Sequence, residues 1–292
     1  MYGLVWLNAT EEMDFSLFKN YKNGLQNYIG SEVNLVSNVN EIQDKQLVFV
    51  IDEHFVPHRE FIFSKEFIQK LNTNKTKIII LNTEKILNQP FKHNLQIYKD
   101  ISKFENRLHI LSDANDIRKL GSPFANKQLL SRSFEFNFKK YDKKNSLLFI
   151  GQVDGRAYEN RRKILNKIEK FIDIPLEVEN TKRKLKYQNF LQKMSEYKYI
   201  LNPLGNGTSE FLNVRYYEIL YVNSIPVQQF TKRMLDNYEE LHSAISINFN
   251  RLKDLKKISF KNEVNLSDYK NLSSPYLEDY LHEVGFRDLI NK

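Results

Sequence analysis

The stretch "YILNPLGNGTSEFLNVRYYEILYVNSIPVQQF" (residues 199–230) decides the reading of the fold. It opens with a short apolar run ending in Asn202, turns at "PLGNG", and continues through "SEFLNVRYYEILYV", whose apolar residues recur at helical spacing. "IPVQQF" closes it as a second apolar run. Strand, turn, helix and strand in that order make a βαβ unit, which requires parallel strands. The turn and the helix after it carry Asn202, Asn206, Thr208, Ser209, Glu210, Arg215 and Glu218. Open α/β sheets bind ligands outside the carboxyl ends of their strands, where these polar residues fall. The competing reading is a polar surface loop followed by an i,i+3 ion pair worth a few tenths of a kcal/mol.

The same alternation extends outward in both directions. "GLVWLN", "EVNLVS", "QLVFVID", "KIIILNT" and "RLHILSD" are near-continuous apolar runs in the first half. Such runs suit strands covered on both faces. "DFSLFKNYKNGLQNYI" and "REFIFSKEFIQKLN" between them have helical spacing. "FNFKKYDKKNS" (136–146) is charged, lacks apolar periodicity and reads as a linker. The pattern then restarts with the strand "LLFIG" and the helix "ENRRKILNKIEKFI". It continues through "IPLEVE", the helix around "YQNFLQKMSEY", the opening stretch, "AISIN" and the helical "RLKDLKKI". The expected fold class is α/β, with two Rossmann-like domains facing a cleft. Their expected bounds are 1–138 and 139–274. "SPYLEDYLHEVGFRDLI" reads as a terminal helix within 275–292, with the N-terminal domain as a surface on which it could pack.

A chain of 292 residues with 41% hydrophobic and 13% aromatic content suits two such domains and argues against disorder. The absence of cysteine excludes disulfides, thiolate catalysis and Cys-ligated zinc. "MYGLVWLNAT" has no basic n-region, and no apolar run approaches the roughly 18 residues of a membrane span. A cytoplasmic location is the expectation. The formal charge of +8 is concentrated between residues 139 and 186, which hold 14 Lys/Arg against 7 Asp/Glu. Such a segment can attract phosphates, nucleic acid or anionic membrane, or can simply be a solvated linker and helix face.

A second strand-to-helix turn is also chemically loaded. "FIGQVDGRAYENRRKIL" places Gly151 and Gly155 where backbone amides can approach a ligand, with Arg156, Arg161 and Arg162 just beyond. A helix N-terminus with arginine is suited to a diphosphate, although a glycine turn with solvated arginines fits equally well. Neither GxGxxG nor GxxxxGK[ST] is present, which argues against a dinucleotide dehydrogenase and a P-loop NTPase. His54 and His58 are four apart, but Pro57 lies between them and no HExxH glutamate follows. No metal site is expected.

The segment "YQNFLQKMSEYKYILNPLGNGTSEFLNVRYYEILYVNSIPV" resembles the donor-side signature of exostosin-like glycosyltransferases of GT-B architecture. The matching features are Tyr197–Ile200, Pro203, Gly205, Arg215, Glu218, Ser224 and Ile225–Val227. "FIGQVDGRAYENRRKIL" is similar to the segment that opens that family's donor domain, so the resemblance covers roughly residues 147–230. Ile219 stands where the family usually has a small residue, and Ser224 where it often has glycine. The resemblance implies a nucleotide-sugar donor, a UDP-sugar among the candidates, held by the second domain. Glu218 would take the ribose hydroxyls, and Arg215 and Arg156 the diphosphate. Gly151, Asn202 and the amides around Gly205, Asn206 and Thr208 would complete the donor site. No cofactor is implied beyond that co-substrate, and the chain has no Asp-x-Asp motif, in keeping with metal independence.

Transfer of a hexosyl or pentosyl group also needs a base near the acceptor hydroxyl. "VIDEHFVPH" offers Asp52, Glu53 and His54 at a strand end, ahead of Glu84 and of Glu11, Glu12 and Asp14. The acceptor expected first is a glycan. The alternatives are a hydroxylated base in DNA, favoured by the basic segment, and a catalytically silent protein that binds a nucleotide or phosphosugar.

Overall fold

The computed structural model describes residues 2–6, 16–35, 47–52, 77–82, 107–111, 124–125, 142–155, 158–181, 185, 187–204, 214–232, 246–257 and 260. The chain divides into two compact units, Met1–Phe134 with Pro275–Lys292, and Glu135–Ser274. Both contain a parallel sheet, and the protein is α/β.

In the first unit the strands are β1 (Tyr2–Trp6), β2 (Val33–Leu35), β3 (Leu47–Asp52), β4 (Lys77–Asn82), β5 (Arg107–Leu111) and β6 (Phe124–Ala125). They pair in the order β2-β1-β3-β4-β5-β6, each pair parallel. Helix α1 (Ser16–Ile29) carries the chain from β1 to β2 and ends at Gly30, whose φ of 71° suits a residue without Cβ. Gly30 N–H donates to Gln26 O at 2.8 Å, and Gln26 Oε1 accepts from Val33 N–H at 3.3 Å. Leu25 and Val33 are fully buried. The expected helices at "REFIFSKEFIQKLN" and "SPYLEDYLHEVGFRDLI" lie outside the described residues.

The second unit holds β7 (Lys144–Gly151), α2 (Glu159–Ile168), β8 (Leu176–Asn180), α3 (Tyr187–Ser195) and β9 (Tyr197–Asn202). It continues with α4 (Val214–Tyr221), β10 (Ile225–Gln229), β11 (Ile247–Phe249) and a 3₁₀ turn (Leu252–Lys257) where "RLKDLKKI" suggests a helix. The sheet order is β11-β10-β9-β7-β8, again all parallel. One face of the sheet packs Leu147, Phe149, Tyr199, Leu201, Ile225 and Val227 against Ile164 and Ile168 of α2 and Leu255 of the 3₁₀ turn. Helices α3 and α4 pack on the sheet with Leu191, Met194, Tyr216 and Ile219 buried. Leu147 to Ile150 are consecutively buried, so β7 is covered on both faces, as its unbroken apolar run implies. At the sheet edge, β8 leaves Val178 48% exposed between Glu177 and Glu179.

The expected linker at 136–146 runs too far. Its last three residues, Lys144 to Ser146, belong to β7, and a register shift against β9 falls between Lys144 and Leu147. Long-range contacts hold this polar strand start. Lys144 N–H donates to Glu196 O at 2.8 Å, while Lys144 Nζ lies 3.1 Å from Tyr197 Oη and 4.7 Å above its ring. Tyr197 in turn donates to Glu177.

Both sheets follow one winding rule. The second strand lies outside the first, and the third and later strands extend on the other side. The chain direction around the sheet therefore reverses between β1 and β3, and again between β7 and β9. At such a reversal the loops diverge to opposite faces and leave a crevice at the carboxyl ends.

Candidate functional site

In the second unit the reversal lies between Gly151, the end of β7, and Asn202, the end of β9. Arg215 and Glu218 of α4 meet there. Their spacing of three puts them on one helix face, and Arg215 Nε donates to Glu218 Oε2 at 2.8 Å. The guanidinium also donates through Nη1 to Ile150 O at 2.9 Å, one residue before Gly151. Its carbon stands 4.1 Å from the Phe190 ring centroid, so α3 supplies a cation–π support. The Glu218 side chain is only 4% exposed, against 31% for Arg215. This is therefore not the surface pair of the bland reading. A carboxylate withdrawn from water needs its cation, and that cation keeps an edge near the carboxyl end of β7.

The loop after β7 is braced by its own sheet and helix. A Cβ on Gly151 would stand 3.3 Å from Phe149 Cζ, and Gly155 has a φ of 95°. Asn180 at the end of β8 accepts from Val153 N–H at 3.4 Å and donates to Asp154 Oδ2 at 3.0 Å. Arg162 Nη1 lies 2.5 Å from Val153 O and 2.6 Å from Gly155 O, and Arg161 Nη1 lies 3.3 Å from Gln152 O. Both guanidiniums thus hold loop carbonyls, a use that their position beyond a glycine turn does not reveal. Tyr158, at the cap position before α2, makes no side-chain capping bond.

The exit of β9, as far as Leu204, is braced as well. Asn202 is 3% exposed and donates through Nδ2 to Gln228 Oε1 at 2.6 Å, its register neighbour on β10. Gln229 Oε1 accepts from Leu204 N–H at 3.1 Å, and Asn160 Nδ2 donates to Leu204 O at 3.3 Å. The motif reading missed Asn160, Asn180, Phe190, Gln228 and Gln229. "QQ" directly after "IPV" was the one available signal, since polar residues ending a buried strand need partners.

Of the sequence-derived candidates, Arg215 and Glu218 pair with each other, Arg215 bonds the carbonyl that precedes Gly151, and Asn202 ends the neighbouring strand. Asp52 ends β3, at the reversal point of the first sheet, in register with Asn82. Glu53, His54, Arg156, Gly205, Asn206 and Thr208 lie outside the described residues, as do Glu11, Glu12, Asp14, His58 and Glu84. Among the described residues no helix is long and apolar enough to cross a membrane.

Comparison with known proteins adds structural likeness. The chain is similar to a crystal structure of an α1,3-fucosyltransferase, with TM-score 0.48 and 12% identity over 100% of this chain and 90% of that one. The same enzyme type crystallised with GDP-fucose gives TM-score 0.46 and 13% identity over 100% and 90%. With GDP it gives 0.46 and 12% over the same shares. At TM-scores below 0.5 this likeness carries no weight for function, which rests on the site itself. No family model matches the chain and no curated protein matches it, so the exostosin-like likeness is one of motif spacing.

Proposed function

We propose that the protein is a glycosyltransferase of GT-B type that transfers a sugar from a nucleotide donor to a saccharide acceptor without a metal ion. The observation that carries this reading is the Arg215–Glu218 pair at the reversal point of a parallel sheet. A buried carboxylate and a partly exposed guanidinium stand beside the glycine end of β7. The carboxylate suits ribose hydroxyls, and the guanidinium suits a diphosphate that gains charge as the sugar departs. Arg156, Asn202 and the amides of Gly205, Asn206 and Thr208 complete the donor site in this proposal. Asp52, Glu53 or His54 serves as the base in this proposal. The spaced motif shared with exostosin-like enzymes supports the same assignment.

The test is a panel of UDP- and GDP-sugars, GDP-fucose included, scored by thermal shift and donor hydrolysis. At least one should raise the melting temperature of the wild type and none should do so for Glu218→Gln. Breaking a buried pair costs about 3 kcal/mol of stability, so binding to the variant is read at a temperature where it is folded. Absence of stabilisation by any member sinks the reading. So does an E218Q variant that binds as the wild type does.

A second reading keeps the donor and exchanges the acceptor for a hydroxylated base in DNA. The excess of basic residues between 139 and 186 favours it.

A further inference from the structure

Both backbone groups of Leu204 are held by side chains from other elements, at the last described residue before Gly205. A residue leaving a strand for a surface loop ordinarily hands these groups to water. Here Gln229 of β10 takes the N–H and Asn160 of α2 takes the carbonyl. Gln229 is itself oriented, its Nε2 lying 3.5 Å from Asn250 O beyond β11. Asn160 precedes Arg161 and Arg162, whose guanidiniums bond the carbonyls of Gln152, Val153 and Gly155. Three consecutive residues in the first turn of α2 therefore reach both loops that flank the reversal between β7 and β9.

The geometry points to Asn160 and Gln229 as positioning residues that hold Leu204, just past the end of β9, in register with Gln152, Val153 and Gly155 past the end of β7, so that the two strand ends form one nucleoside-diphosphate site. This rests on the donor reading above and adds to it how the two halves of the pocket are tied. Neither residue contacts the ligand. Each acts through Leu204.

The experiment measures UDP and GDP affinity calorimetrically on the full chain, at a temperature where every variant is folded. N160L and Q229L are each expected to weaken binding roughly 3- to 10-fold, the size of one lost hydrogen bond. The conservative changes separate positioning from packing, because a carboxylate accepts and cannot donate. Q229E keeps the acceptor for Leu204 N–H and recovers most of the affinity lost in Q229L, giving up only the long 3.5 Å bond to Asn250 O, whereas N160D cannot donate to Leu204 O and remains weak. A purely structural role would lower the melting temperature of these variants and leave the affinity of the folded protein unchanged. That result overturns the inference alone, as does equal loss in Q229E and Q229L. A wild type that binds neither nucleotide overturns the donor reading and this inference with it.

Discussion

Lys143 shows what a single side chain contributes at the opposite end of the second sheet. Its Nζ donates to Ser195 O at 2.8 Å, Val222 O at 3.0 Å and Ser224 Oγ at 3.0 Å. Two of these acceptors are carbonyls where α3 and α4 end, which gather partial negative charge. Partial burial pulls the pKa of the amine from 10.5 to about 8. The folded state therefore releases its proton before the unfolded chain does. The stability linked to this group is fully present above pH 10.5 and is lost as pH falls through 8. In urea unfolding the advantage of wild type over Lys143→Met should grow as pH rises across that window. A pH-independent difference would show that the amine titrates alike in both states. At pH 7 the variant should lose about 1–2 kcal/mol through its missing hydrogen bonds. The sequence presents this residue only as one lysine of a charged stretch, because all three acceptors are more than 50 positions away. Arg215 and Glu218 were legible for the opposite reason: their partner is three residues away on one helix.

Helix α4 places that pair, and its exit is as well defined as its face. Asn223 adopts a φ of 59°, Ser224 N–H donates to Ile219 O at 3.0 Å, and Asn223 N–H donates to Leu220 O at 2.9 Å. This left-handed closure satisfies the last carbonyls and returns the chain into β10. The Ser224 hydroxyl, at a position where glycine is common in the motif, is fully buried and lies 2.8 Å from Tyr197 O. Asn223→Val should cost about 1–2 kcal/mol, since a β-branched residue resists positive φ, while Asn223→Gly should be close to neutral. Equal stability of the two variants in urea would refute the strain argument. Apolar runs announced β3, β4, β7, β9 and β10, and in β7 the mark in composition matches consecutive burial from Leu147 to Ile150. They missed the polar start of β7, which Tyr197 and Glu177 hold from distant parts of the chain.

For the whole molecule, linear alternation predicted parallel sheets but not the order of their strands. Which side the third strand joins depends on packing between elements, and that order puts Gly151 beside the β9 end and Arg215 within reach of Ile150. Gly151, Arg215 and Glu218 were thus readable as residue types, while the side-chain amides that bond Leu204 depend on register. With a net charge of +8, salt dependence is the measurement that separates the two acceptors. Transfer to a saccharide should change little between 50 and 200 mM salt. A duplex acceptor held through several phosphates would lose on the order of a thousandfold in affinity over that range. A salt titration of acceptor binding measures the difference, and a steep slope would reverse our preference for the saccharide.

The exposed margin at β8 has a consequence for the protein as a concentrated solute. A sheet edge invites a strand from another copy, and Val178 offers that strand an apolar foothold. Parallel, in-register addition would set Glu177 against Glu177 and Glu179 against Glu179. Antiparallel addition centred on Val178 would set Glu177 against Glu179. In either orientation carboxylates meet across the new ladder, where like charges repel. The sheet is thereby guarded against growing from molecule to molecule.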